Sequence, residues 1–237
     1  MEQIEALLTQ IAGPRLETGR PFLTLSYAQS LDGCVAAVSG QPLALSGLQS
    51  MTITHRLRAA HDAILVGIGT VLADNPRLTV RLVDGKNPQP VVVDSRLRFP
   101  IQANLLRDHP LPPWIAASQH ADQDRQRALE RLGARVLRLP ADANGQVDLL
   151  ALVECLAALG VKRLMVEGGA RIITSFLRER LVDLLVLTVS PRLVGGVHAV
   201  GSLDGTGSAC FPRLSHPGHA WLGEDLILWG SLAWGQP

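Results

Sequence analysis

Cysteine, net charge and long apolar runs are all scarce in this 237-residue sequence. Its three cysteines, Cys34, Cys155 and Cys210, are odd in number and far apart, and none sits in a CxxC pair or beside a histidine at ligand spacing. A disulfide framework and a zinc site are both unsupported by that pattern; reduced, buried thiols and no metal are expected. The 22 basic and 21 acidic residues leave a formal charge of +1, which supplies no field for nucleic acid or an anionic membrane and points to a small neutral-to-anionic ligand. No apolar run approaches the ~20 residues of a membrane span. The start, MEQIEALLTQ, carries acids where a secretory signal would be basic, so the cytoplasm is the expected location. A linker rich in proline, serine or charge is also lacking, which argues for one α/β domain with a substantial core.

What is there is organised around residues 61–81, HDAILVGIGTVLADNPRLTVR. AILVG is too uninterrupted for a half-exposed strand and reads as a buried central one. Gly67 and Gly69 bracket Ile68, residues 70–73 read as one helical turn, and Asp74-Asn75-Pro76 stops it, because the residue before proline avoids the α region. Leu72 stands where a dinucleotide fingerprint would need its third glycine, so a Rossmann reading is rejected. Polar groups gather at the carboxyl end of a strand, where open α/β sheets bind ligands. Arg77 and Arg81 follow with donors suited to phosphate.

Elsewhere strands and helices alternate. Ile4, Leu7, Leu8 and Ile11 give residues 2–12 helical spacing, ended by Gly13-Pro14, as a peripheral addition. From Phe22 the pattern FLTLSYA alternates in period two and carries its polar tail SLDG into a turn, where Asp32 reads as a local turn-former. Ser46 is the expected N-cap of a helix over residues 48–60, and His55 and His61 read as structural. A buried strand at Val91–Val93 ends in Asp94, Ser95, Arg96 and Arg98, where a hydroxyl and a guanidinium suit the 2′-phosphate of NADPH. WIAAS and ARVLRL are further strands, with helices over residues 122–132 and 148–159. Glu167-Gly168-Gly169-Ala170 forms a second chemical corner, a strand then a helix start whose amides can meet an anion. The glycine-rich LVGGVHAVGSLDGTG is expected to be a mobile loop, and two short strands near Trp221 and Ile227 finish the chain.

The central stretch, together with SYAQSLDG (residues 26–33), PQPVVVDSRLR (88–98) and LMVEGGARIITSFL (164–177), resembles the pyrimidine reductases of riboflavin biosynthesis. These comprise the reductase half of the bacterial bifunctional deaminase/reductase and the stand-alone fungal and archaeal enzymes. The resemblance covers nearly everything after Arg20. It implies a dihydrofolate-reductase-like α/β fold with a mostly parallel sheet flanked by helices, a single reductase domain over residues 21–237 behind an N-terminal helical extension at 1–20, and a homodimer. It implies NADPH as cofactor, bound by Ala28, Thr70, Asp74, Ser95, Gly169, Ala170, Arg171, Ile172, Ile173, Thr174 and Ser175. Arg58, Leu78, Arg81 and Glu167 would meet the substrate, a ribosylaminopyrimidine 5′-phosphate reduced to its ribitylamino form.

No residue is marked as a general acid. The sequence holds no HxE followed by PCxxC, so zinc deaminase chemistry is not expected of it. SYAQSLDG and THRLRAAHDAILVG lie closer to the stand-alone enzymes, which favours 2,5-diamino-6-ribosylamino-4(3H)-pyrimidinone 5′-phosphate over the deaminated 5-amino-6-(5-phosphoribosylamino)uracil. Pro42 and Ala44 depart from the bacterial bifunctional pattern. They keep open a non-catalytic nucleotide-binding module, and a reductase of the same fold acting on another heterocycle is the second alternative.

Overall fold

The computed structural model describes residues 2–13, 19–203 and 211–235. Among these, nine strands form one sheet in the order β10-β11-β8-β1-β7-β3-β4-β5-β6. From β8 (Leu184–Ser190) through β1 (Phe22–Ser30), β7 (Arg163–Val166), β3 (Ala63–Gly67), β4 (Gln89–Val93) and β5 (Trp114–Ser118) to β6 (Arg135–Leu139), all pairings are parallel. The hairpin of β10 (Pro212–Leu222) and β11 (Asp225–Trp234) adds antiparallel to β8. The expected mostly parallel sheet is thus observed.

Helices cover both faces. α6 (Leu149–Ala158) and α7 (Ala170–Arg178) pack on one, where Leu152, Leu156, Ile173 and Phe176 join Leu23, Leu65, Val91 and Val166. The other face carries two separate apolar clusters. One lies beneath α1 (Glu2–Ala12) and α2 (Leu48–Ala59), and the other beneath α3 (Ile68–Asp74), the single turn α4 (Asn104–Arg107) and α5 (Gln123–Arg131). The amphipathic spacing of α1 has a definite use, since Ile4, Leu7 and Ile11 are fully buried against Ile53, Leu57 and Trp229.

AILVG is β3 residue for residue, and every position in it is buried. Capping follows the sequence at α5 and α6, where Asp122 and Asp148 accept from the amides of Arg125 and Ala151. Four expectations are corrected. β1 does not alternate between core and solvent, because helices cover both faces of a central parallel strand. Ser46 does not cap α2; the N-cap is Gly47, and the buried Asp225 accepts from the Gly47 amide at 2.8 Å and the Ser50 hydroxyl at 2.6 Å. The two C-terminal strands are long, 11 and 10 residues.

The glycine-rich segment, finally, is pinned where described. Asp32 accepts from the amides of Val194 and Gly195, and β9 (Val197–His198) pairs with β2 (Cys34–Ala36). Asp32 therefore clamps a distant loop as well as its own turn, and the hydroxyl of Ser30 with those two amides holds its carboxyl well below the usual range. Cys34 is a buried free thiol and Cys155 is half-buried, whereas Cys210 lies outside the described residues.

Candidate active site

β7 is the shortest strand of the parallel run, and its ladder with β1 ends at Leu25–Val166. Residues 26–30 of β1 continue beyond that point, paired only to β8. The chain runs outward from β3 through β6 and then returns to insert β7 between β1 and β3. A crevice above β7, at the carboxyl ends of these strands, is the place such a reversal of strand order provides for a ligand.

The two glycine corners meet there. A Cβ at Gly67 would lie 2.6 Å from Cγ1 of Ile172, and one at Gly168 would lie 2.5 Å from its Cγ2. Ile172 on the first turn of α7 is therefore wedged between both corners, and both glycines serve clearance, since neither has positive φ. A Cβ at Gly169 would stand 3.6 Å from Thr70 Oγ1, which places Thr70 of α3 beside the start of α7. Gly169 caps α7 with no side-chain acceptor, and no acidic residue occupies the first turn. The amides of Ala170, Arg171 and Ile172 head the helix, and such leading amides with the helix dipole favour an anion. Further along, Ile173 faces the core and the amide of Gly201 donates to the Thr174 hydroxyl. Ser175 is half-buried within the helix.

On the opposite face, between the two apolar clusters, lies a polar seam. Glu167 follows β7, and its amide extends the ladder by donating to Leu65 at 2.9 Å. Its carboxylate receives Arg58 of α2 in a two-point pair, Nε at 2.8 Å and an Nη at 2.7 Å, with side chains only 12% and 17% exposed. The other Nη of Arg58 donates to the Thr79 carbonyl at 3.1 Å, and Arg81 donates to the Thr79 hydroxyl at 3.0 Å. Among the described residues Arg81 has no carboxylate partner. Desolvation, then Arg58 and Arg77, push its pKa down from the usual guanidinium value. The seam thus holds surplus positive charge.

Leu78, expected at the substrate, has a buried side chain and φ of 54°, a strained left-handed conformation for a branched residue. Its side chain anchors the loop in the core while Thr79 and Arg81 face the seam. Asp74 is exposed at the end of α3, and partial desolvation raises its carboxyl. Ala28 sits half-buried on the part of β1 beyond β7. Ser95 accepts from the Val147 amide at 3.0 Å and reaches Gln146 only at 3.4 Å, so its proton is weakly held, and Arg96 beside it is exposed. Pro42 and Ala44 are exposed, and the Ala44 carbonyl accepts from Arg192.

His61 is structural, as expected. Buried between the Leu57 carbonyl at 2.6 Å and the Thr24 hydroxyl at 2.9 Å, its pKa falls to about 4 by desolvation. His55 is not merely structural in placement. Its Nδ1 accepts from the Arg81 amide at 2.9 Å, and desolvation, then Arg58 and Arg81, lower its pKa to about 4. Sequence reasoning missed this link and Thr79, although the spacing of His55 and Arg58, three apart and so on one helix face, was a usable signal.

Residues 21–228 match the family model described as the RibD C-terminal domain. A reductase from Methanothermobacter thermautotrophicus named for 2,5-diamino-6-ribosylamino-4(3H)-pyrimidinone 5′-phosphate is 40% identical over 215 residues, 88% of this chain and 97% of its own. One of the same name from Archaeoglobus fulgidus is 40% identical over 196 residues, 78% and 87% of the two chains. Among solved structures, the riboflavin biosynthesis reductase Rib7 of Saccharomyces cerevisiae superposes with a TM-score of 0.76 at 29% identity and covers 98% of both chains. RibD of Acinetobacter baumannii gives 0.79 at 26% identity over 91% of this chain but only 59% of its own length. The expected fold is borne out by these superpositions. The chain belongs to the RibD C-terminal domain family of riboflavin-biosynthesis reductases.

Proposed function

We propose that the protein uses NADPH to reduce the ribosylamino group of 2,5-diamino-6-ribosylamino-4(3H)-pyrimidinone 5′-phosphate to ribitylamino. The observation that carries the substrate reading is the charge balance of the seam. Glu167 neutralises Arg58, while Arg81, its pKa lowered by desolvation and then by its cationic neighbours Arg58 and Arg77, is left for an anion. A phosphate dianion supplies the missing charge, and the guanidinium's planar fork matches it. The names carried by the archaeal relatives support the same substrate.

The chain's own residues fit the cofactor. The leading amides of α7, approached over Gly168 and Gly169, would hold the pyrophosphate, with Thr70 and Asp74 on the neighbouring corner and Ala28 leaving room for a flat ring. Ser95, whose proton is weakly committed, and the exposed Arg96 would take the 2′-phosphate. NADPH when bound supplies a hydride for C1′ of the opened sugar. The task of the protein is to hold the phosphate at Arg81, orient the pyrimidine against Glu167 and Arg58, and bring the reacting carbons to near-attack distance.

We further read residues 21–237 as the reductase domain, with residues 1–20 as a helical extension, acting in the cytoplasm as a homodimer. The free thiols of Cys34 and Cys155 support a reducing compartment, and among the described residues no helix is long and apolar enough to cross a membrane. Arg81→Ala tests the substrate reading. One charge-assisted contact is worth ~1.5–3 kcal/mol, so KM for the phosphorylated pyrimidine should rise roughly 10- to 100-fold with NADPH binding unchanged. An unaltered KM, or equal use of a dephosphorylated substrate by the wild type, would contradict it.

A further inference from the structure

The segment that carries Arg81 is held from outside itself at three consecutive residues' backbone groups. The Thr79 carbonyl is bound by Arg58, the Val80 amide donates to Asn87 Oδ1 at 2.7 Å, and the Arg81 amide donates to His55 Nδ1 at 2.9 Å. It begins at Leu78, whose left-handed backbone is costly and persists only where surrounding contacts fix it. His55 lies one turn before Arg58 on α2, so two successive turns of one helix grip residues 79 and 81.

A backbone amide can only donate, so Nδ1 of His55 must be unprotonated and any proton of the neutral ring sits on Nε2. The charged groups facing the ring are Arg58, Arg81 and Glu167, and a neutral imidazole is the form that suits two cations against one carboxylate.

We propose that His55 is a positioning residue for the substrate's phosphate: its neutral Nδ1, with Asn87 Oδ1, orients the residue 79–81 backbone so that the Arg81 guanidinium meets the anion. This rests on the reading of Arg81 as the phosphate anchor. A ring that only filled space would be replaceable by any side chain of like volume, whereas a hydrogen-bond acceptor is replaceable only by another acceptor at the same point. Asparagine places Oδ1 close to where histidine places Nδ1.

The test compares His55→Asn, His55→Leu and Asn87→Ala with the wild type by steady-state kinetics on the phosphorylated and dephosphorylated pyrimidines, and by NADPH binding. His55→Leu should raise KM for the phosphorylated substrate about tenfold, leave kcat and NADPH affinity within about twofold, and have no effect on KM for the dephosphorylated compound. His55→Asn should recover most of the loss. Asn87→Ala, away from α2 and its packing, should reproduce the same KM-specific loss should His55→Leu fail to fold. Equal losses in His55→Leu and His55→Asn, a fall in kcat without change in KM, or the same loss on both substrates would overturn the proposal. Failure of the underlying reading looks different: Arg81→Ala would then leave KM unchanged.

Discussion

Replacing Gly67 by alanine sets a methyl carbon 2.6 Å from Cγ1, 3.3 Å from Cδ1 and 3.9 Å from Cβ of Ile172. Ordinary carbon contacts begin near ~3.5 Å, so about 1 Å of movement is forced. Ile172 cannot yield by changing rotamer, because a β-branched side chain in a helix is stiff at χ1. The start of α7 must move away from the strand ends instead. Overpacking of this kind costs about 1–3 kcal/mol, and a displacement of about 1 Å at the leading amides is enough to cost up to ~100-fold in catalysis.

In an Ile172→Ala background the nearest remaining carbon is the Cβ at 3.9 Å. The same substitution should then cost under about 0.5 kcal/mol beyond the intrinsic loss of an N-cap glycine, a loss that cancels in the cycle. Gly168→Ala supplies the contrast. There the Ile172 Cβ itself lies 2.7 Å away, so truncating Ile172 should relieve only part of the penalty. Urea unfolding of the two double-mutant cycles, with KM for NADPH alongside, measures both effects. Coupling near zero at Gly67, or equal coupling at the two glycines, would refute the wedge.

His61 is neutral in the folded protein, with its pKa lowered from 6.5 to about 4, while the unfolded chain takes up the proton first as pH falls. Its contribution, about 3 kcal/mol from that shift, is fully present above pH 6.5 and is lost on descending through pH 4; His61→Gln should flatten the stability profile across that window, and an unchanged slope would count against it. Asp225→Ala should cost about 2 kcal/mol by leaving the Gly47 amide and Ser50 hydroxyl unpaired. Ser46→Ala should stay within ~0.5 kcal/mol; the reverse ranking in thermal unfolding would restore Ser46 as the cap.

Features written in local chemistry were legible from sequence. AILVG read as a buried strand and is one, helices were expected over 122–132 and 148–159 where Asp122 and Asp148 prove to be their caps, and both glycine corners were identifiable as strand-to-helix turns. What was not legible depends on residues far apart. The N-cap of α2 is Gly47, and its amide is held by Asp225, 178 positions away, so the nearby Ser46 misled. Asp32 holds an amide 162 residues on, which turned an expected mobile loop into a pinned one.

The C-terminal strands were expected to be short, yet β10 runs on through Pro212, Pro217 and Gly218. A sheet edge tolerates them, with a bulge between Ser215 and Gly218 absorbing the irregularity. At the site, Arg58, Glu167 and Arg81 were named in advance through a family resemblance. His55 was read as structural because no carboxylate or cysteine stands at recognisable spacing from it, whereas its partner is the Arg81 backbone amide.

The central claim is tested most directly by following NADPH oxidation with 2,5-diamino-6-ribosylamino-4(3H)-pyrimidinone 5′-phosphate and with 5-amino-6-(5-phosphoribosylamino)uracil in parallel, identifying products by mass. The two rings differ by an exocyclic amine against a carbonyl, and a site paired to one edge can reject the other by orders of magnitude. The account predicts one NADPH consumed per ribitylamino product, with clear preference for the diamino compound. A preference for the uracil would reverse the substrate assignment, and no oxidation with either would contradict the reductase reading itself.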